Sequence, residues 1–253
     1  MTKLYIIIMS GGLGTRMKSS IPKVLHHVGG EPMLIRIIKQ AQKLNPEKIL
    51  VVAGKYKDLI ESEINKHNLD VEYINQEPAL GTGHAIMCCR KYLLTKNENS
   101  KVLILSGDAP LITYNTISNM LDTGDCKILT TVRENPFGYG RIIEKDGIFL
   151  KIVEEKDGAD DERQVKKVNC GVYAIKNELL CKYLPYIKNN NVQGEYYLTD
   201  IIEIIKNNGH IVSSYNLDKE KQYELTNVND KEQLKYVNKL LDEKTFSTSP
   251  IPT

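Results

Sequence analysis

Arg16 and Lys23 are two fixed cations set just beyond a run of glycines, in the stretch LYIIIMSGGLGTRMKSSIPK at residues 4–23. Residues 4–9 are apolar and rich in isoleucine, which reads as a buried strand. The glycines that follow let the backbone turn sharply and come close to a ligand. Backbone N–H groups in such a turn form a concave donor surface that suits phosphate. Arginine adds bidentate contact and lysine a point charge. Residue types and spacing together describe a triphosphate cradle.

Two common phosphate loops are excluded. G-x-G-x-x-G would need glycines at 12, 14 and 17, and position 17 is Met. That motif also wants an acid after the second strand, where this chain has Gly54-Lys55. No glycine carries Gly-Lys-Ser/Thr at the P-loop offset. The pattern present is G-x-G-T-R followed by Pro22-Lys23.

Three further groups of residues could serve the same chemistry. Asp108, in Gly107-Asp108-Ala109-Pro110, follows an apolar run, where a carboxylate beside phosphates suits Mg²⁺. Asn229 offers a neutral oxygen that could share the ion. Gln76, with Leu80-Gly81-Thr82-Gly83-His84-Ala85, offers an amide and a hydroxyl for a base edge. His84 is better read as packed or capping than as a general base. Glu154 and Asn169 stand at strand ends near Gly140, and a carboxylate with an amide suits sugar hydroxyls and an acylamino group. Glu154 and Glu155 cannot act as a glycosidase pair, because neighbours in one strand point to opposite faces.

These groups need a scaffold that brings strand ends together. Strands are expected at 4–9, 48–53, 70–74, 101–105, 126–132 and 167–175. Helices are expected at 31–44, 57–66 and 113–121, with another opening at 81–83. The fold class is α/β: a Rossmann-like, mainly parallel mixed sheet with helices on both faces. Ligands in such sheets bind outside the carboxyl ends of the strands. Residues 9–16, 75–82 and 106–108 all lie at such ends, so they are expected to converge. Beyond residue 133, a hairpin of 141–145 and 148–154 is expected around Asp146-Gly147. A polar loop at 158–164, a helix at 195–207, a strand at 210–215 and a last helix capped by Asp230 follow.

Composition narrows the class. The 253 residues carry 34 basic and 32 acidic side chains, a balance that gives no support to nucleic-acid binding. Five cysteines without C-x-x-C or zinc spacing read as reduced thiols in a reducing compartment. The apolar run near the N-terminus is too short to be a signal-peptide core or to span a membrane, so a cytoplasmic protein is expected.

The chain resembles the sugar-1-phosphate nucleotidylyltransferases through its first motif. It is more closely similar to the uridyltransferase domain of the bacterial bifunctional N-acetylglucosamine-1-phosphate uridyltransferases/glucosamine-1-phosphate acetyltransferases. Gln76 with LGTGHA, GDAPL, PFGYGRI, IVEEKDG, VNCG and NNNVQGEYYLTDII carry that resemblance in order, over about residues 4–241. It implies a nucleotide-diphospho-sugar transferase fold and a domain at 1–244, with a flexible tail at 245–253. It implies Met9, Ser10, Gly11, Gly12, Gln76, Gly81, Thr82, Ser106 and Gly107 for the nucleotide. Arg16 and Lys23 would be catalytic, acting on the triphosphate. Asp108 and Asn229 would hold Mg²⁺, and Gly140, Glu154 and Asn169 would bind the sugar. The partners implied are UTP and a sugar 1-phosphate, with no nucleic acid or membrane, and the sequence does not decide between monomer and homo-oligomer.

The departures are informative. Ser10-Gly11 stands where the subgroup usually has Ala-Ala, and Ser106 where it often has Tyr. The chain shows no hexapeptide repeat, so a C-terminal β-helix and acetyl transfer are not expected, and a monofunctional enzyme is. The reaction implied joins UTP and N-acetylglucosamine 1-phosphate into UDP-N-acetylglucosamine, releasing pyrophosphate. The alternatives are the same reaction with glucose 1-phosphate or dTTP, and a non-catalytic sugar-nucleotide sensor.

Overall fold

The structure is a computed structural model and describes residues 2–96 and 99–247. The first strand, β1 (Lys3–Met9), sets the plan. Its side chains alternate between two faces: Tyr5 and Ile7 enter one core, Ile6 and Ile8 the other. A strand buried on both faces needs helices above and below it. The chain then runs through a small hairpin, β2 (His27–Val28) and β3 (Glu31–Pro32), into α1 (Met33–Gln42) and β4 (Lys48–Ala53). Next come α2 (Lys57–Lys66), β5 (Glu72–Asn75), α3 (Thr82–Leu93), β6 (Ser100–Ser106), α4 (Tyr114–Ser118) and β7 (Cys126–Val132). The second half holds β8 (Arg141–Lys145), β9 (Ile148–Val153), α5 (Asp160–Arg163), β10 (Lys167–Lys176) and α6 (Asn177–Tyr183). It closes with α7 (Asp200–Asn207), β11 (Val212–Asn216) and α8 (Lys231–Ser247).

The sheet order is β11-β7-β10-β6-β1-β4-β5, with β8 and β9 attached through β10. Pairs β1–β4, β1–β6, β4–β5 and β7–β11 are parallel, and β10 runs antiparallel to both β6 and β7. The expected mainly parallel mixed sheet is therefore present. Helices α3, α6 and α7 cover one face, and α1, α2 and α4 the other. Among the described residues there is no β-helix. No helix among them is long and apolar enough to cross a membrane. All five cysteines are free thiols, as read from the sequence.

Strand order reverses beside β1. From β1 the chain steps outward to β4 and β5, then returns to place β6 on the other side of β1. Neighbouring loops part at such a point and leave a crevice at the carboxyl ends.

Several element boundaries differ from expectation for local reasons. α1 begins at Met33, because Glu31 and Pro32 pair back onto His27 and Val28. Thr113 caps α4 from outside, its Oγ1 accepting from Thr116 N, and the helix stops at Ser118. α6 was not anticipated, and the stretch at 158–164 read as a loop contains the one-turn α5. The helix expected from Glu195 starts only at Asp200. Residues 195–197 instead lie outside any helix against the 80–83 loop, where Tyr196 N donates to Leu80 O at 2.9 Å and Gly83 N to Tyr196 O at 2.6 Å, and 198–199 turn into α7. The hairpin turn matches its expectation, with Asp146 at φ 52° and Gly147 at φ 75°. Asp230 caps α8 by accepting from Gln233 N at 2.8 Å. Residues 248–253 of the expected tail lie outside the described residues.

A Cβ at position 83 would lie 2.8 Å from Tyr196 O, a backbone atom that cannot give way cheaply. Gly83→Ala is expected to cost about 1–3 kcal/mol, read as a lower urea midpoint.

Candidate active site

The residues at 9–16, 75–82 and 106–108 do converge. One cavity of about 450 Å³ is lined by Met9 to Arg16, Lys23, Gln76, Gly81, Thr82, Ser106, Asp108 and Asn229. A second, of about 870 Å³, is lined by Gly140, Glu154, Asn169, Arg133 and Tyr139, among others. The two share a wall made of Met9, Arg16, Thr82, Ser106, Asp108 and Asn229.

That wall is built around a largely buried ion pair. Lys23 Nζ lies 2.5 Å from Asp108 Oδ2 and donates to Asn229 Oδ1 at 2.9 Å. Lys23 and Asp108 each keep only 14% side-chain exposure. Asp108 Oδ1 accepts from Ser106 Oγ at 2.7 Å and from Asn227 Nδ2 at 2.6 Å. Burial pushes the Asp108 carboxyl up, but the charge and hydrogen bond of Lys23, with those two donors, hold it below the usual range. The carboxylate is thus kept anionic. Asp108 and Asn229 already direct two oxygens at one cation, the lysine ammonium. A carboxylate and an amide oxygen converging in this way fit Mg²⁺, whose other ligands would be water and phosphate. Arg16, by contrast, is exposed, lines both cavities and makes no ion pair among the described residues.

At the other end of the first cavity, Gln76 is buried and donates from Nε2 to Gly81 O at 2.9 Å. A Cβ at Gly11 would meet Gln76 Oε1 at 2.5 Å, so the loop after β1 closes directly on this amide. Thr82 Oγ1 accepts from Leu198 N at 3.0 Å. The missing Cβ atoms of Gly81 and Gly83 admit the backbone of Tyr196, and Gly81 also lines the first cavity. His84 lies beside Tyr196, and its Nε2 is 3.9 Å from Cys88 Sγ, consistent with a packed role.

In the second cavity, Thr199 Oγ1 donates to Glu154 Oε1 at 2.9 Å. Asn169 Nδ2 donates to Tyr173 Oη at 2.7 Å, and Asn169 N to Gly140 O at 2.8 Å. Gly140, Glu154 and Asn169 are therefore neighbours, as expected. Glu155 turns the other way and pairs with Arg141 at 2.6 Å. Burial pushes the Glu154 carboxyl up. It pushes Asp200 up to about 6 as well, with further contributions from Glu154, Glu203 and Asp157.

Sequence reasoning missed Asn227, Thr199, Tyr173 and Arg133. Thr199 lies in the quoted stretch NNNVQGEYYLTDII, just before a helix, and Asn227 stands two residues before Asn229, which were the available signals. Tyr173 faces the cavity four residues along β10 from Asn169, and Arg133 stacks on Tyr139 with 4.8 Å between guanidinium carbon and ring centroid. Nothing in the residue types alone set these two apart.

Comparison with known proteins places this site in a family. A family model described as the MobA-like NTP transferase domain matches residues 6–167. The chain belongs to that family. It is accordingly a nucleotidyltransferase. One relative is 43% identical over 244 residues, covering 93% of this chain and 95% of its own length. It is named "Probable UDP-N-acetylglucosamine pyrophosphorylase", from Acanthamoeba polyphaga mimivirus. "Bifunctional protein GlmU" of Geobacillus sp. is 41% identical over 96% of this chain. The chain spans 53% of that protein, about half its length. Among solved structures, a candidate glucose-1-phosphate thymidylyltransferase from Bacillus anthracis, crystallised with sucrose, aligns with a TM-score of 0.71. It covers 94% of each chain at 18% identity, a likeness of fold.

The Asp200 carboxyl ionises more readily in the unfolded chain, near 3.8, than in the folded one, near 6. Unfolding is therefore favoured increasingly as pH rises from about 4 through about 6. Asp200→Asn is expected to raise stability at pH 7.5 by on the order of 1 kcal/mol, allowing for its partial exposure. Thermal unfolding should show this gain shrinking as pH falls from about 6 to about 4 and gone below that.

Proposed function

We propose that this nucleotidyltransferase makes UDP-N-acetylglucosamine from UTP and N-acetylglucosamine 1-phosphate, releasing pyrophosphate. The observation that carries the reading is the shared wall of the two cavities. A nucleotide in the first and a sugar phosphate in the second meet over Asp108, Asn229 and Arg16. The names of the relatives support the choice of substrates.

A phosphate oxygen of the sugar phosphate attacks the α-phosphorus of UTP. The P–O bond to the β-phosphate breaks, and pyrophosphate leaves with that electron pair. The nucleophile is already ionised at neutral pH, so no general base is required, and none is placed here. Arg16, exposed at the junction, neutralises charge on the reacting phosphates. Lys23 adds its charge from the same wall. Asp108 and Asn229 would hold Mg²⁺, which supplies charge neutralisation on phosphate oxygens when bound. Gln76, Gly81 and Thr82 hold the base. Glu154, Asn169 and Gly140 hold the sugar and orient its phosphate toward the junction. Burial pushes the Glu154 carboxyl up, and its oxygens remain acceptors for sugar hydroxyls.

Arg16→Ala is expected to lower kcat by about a hundredfold or more, since its charge acts mainly on the transition state. Near-normal turnover would remove that role. Asp108→Asn is expected to raise the Mg²⁺ concentration needed for half-maximal rate, and an unchanged requirement would count against the metal assignment. Pyrophosphate release across UTP, dTTP, N-acetylglucosamine 1-phosphate and glucose 1-phosphate tests the substrates. Preference for dTTP or glucose 1-phosphate would replace this reading, and no turnover with any pair would favour a sensor.

A further inference from the structure

Ser10 carries a hydroxyl that the protein itself leaves unused. The residue is 4% exposed and lines the first cavity. Its backbone N–H is taken by Val52 O at 2.8 Å, but Oγ is buried with no hydrogen-bond partner among the described residues. Such a group lowers stability unless something else satisfies it. Alanine would fill the same space without that loss.

The sheet order says what the missing partner is. Along the crevice the strands run β5, β4, β1, β6. On the β5 and β4 side, Gly11 closes on Gln76 and Gly54, where the base is held under the proposed function. On the β6 side stand Asp108 and Lys23, where the phosphates are held. Ser10 directly follows β1 between them. Its hydroxyl faces β6, and a Cβ on Gly107 would lie 2.6 Å from Oγ, so the bare glycine makes room for the hydroxyl itself. In a nucleotide the group between base and phosphate is the ribose. A serine side chain turns between staggered rotamers without breaking any bond here, because Oγ makes none.

We infer that Ser10 reads the ribose: its hydroxyl exchanges a hydrogen bond with the 2′ or 3′ hydroxyl and separates ribonucleotides from deoxyribonucleotides. This rests on the nucleotide assignment of the first cavity and adds a side chain that selects the sugar of the nucleotide.

The test compares kcat/KM for UTP, 2′-deoxy-UTP and 3′-deoxy-UTP in wild type and Ser10→Ala. Wild type is expected to favour UTP over at least one deoxy analogue. Ser10→Ala should shrink that preference by about tenfold, chiefly by loss on UTP. The analogue whose discrimination collapses identifies the hydroxyl. A preference unchanged within about twofold, or a wild-type preference for both deoxy analogues, overturns the inference. If wild type takes another base, the ribo and deoxy forms of that base are compared. A collapsed ratio there upholds Ser10 while the UTP reading falls. Calorimetric binding of UDP against its 2′- and 3′-deoxy forms reads the same ratio if turnover is too slow. Equal loss of all three overturns the inference. Thermal unfolding should show Ser10→Ala no less stable than wild type, which separates ribose reading from a structural role.

Discussion

Lys23, Asp108 and Asn229 meet where three segments remote in sequence end together. Lys23 comes from the loop after β1, Asp108 from the end of β6, and Asn229 from the turn before α8. A buried carboxylate without a partner is costly, and breaking such a pair leaves the surviving charge stranded. Each segment therefore depends on the others. Asp108 also anchors the α8 approach through its backbone, its carbonyl accepting from Val228 N at 2.9 Å. The glycine loop leans on the same point, since a Cβ at Gly14 would sit 2.7 Å from Lys23 Cβ. The ion pair contributes less as net energy than as geometry, because it fixes the shared wall of both cavities.

That wall is useful only because of strand order. The reversal beside β1 opens the crevice between β1 and β6. The antiparallel β10 brings its first residues, including Asn169, to the same edge as the carboxyl ends of β6 and β7. The β8–β9 hairpin then delivers Gly140 and Glu154 beside them. The second cavity thus depends on a strand that runs against its neighbours β6 and β7.

Much of this was legible in the chain. Alternating apolar runs and helical faces gave the sheet, and Gly-x-Gly-Thr-Arg with Pro-Lys gave the phosphate end. The convergence of 9–16, 75–82 and 106–108 followed from strand ends alone. What escaped depended on contacts between distant segments. Residues 195–197 were expected to be helical, yet two backbone hydrogen bonds from Tyr196 to the 80–83 loop keep them out of the helix. The glycines of that loop also leave space that the backbone of Tyr196 needs, which no residue type announced. Lys23 read as a cation free for phosphate, and only the fold reveals that Asp108 and Asn229 already engage it. No residue type announces its partner across a sheet.

The acids of the site are sorted by what surrounds them. Asp108 is buried among donors and a lysine, so its charge is favoured and it stays ready for a cation. Glu154 and Asp200 are buried near other acids, with a single hydroxyl donor on Glu154, so their charge is disfavoured. Interchanging these environments would defeat both tasks. A neutral Asp108 would bind metal poorly, and acids whose charge is disfavoured oppose an incoming sugar phosphate less. The gradient runs from cationic at the junction to weakly acidic and polar around the sugar. A sugar phosphate entering the second cavity is therefore drawn phosphate first toward Arg16, the orientation that in-line attack requires.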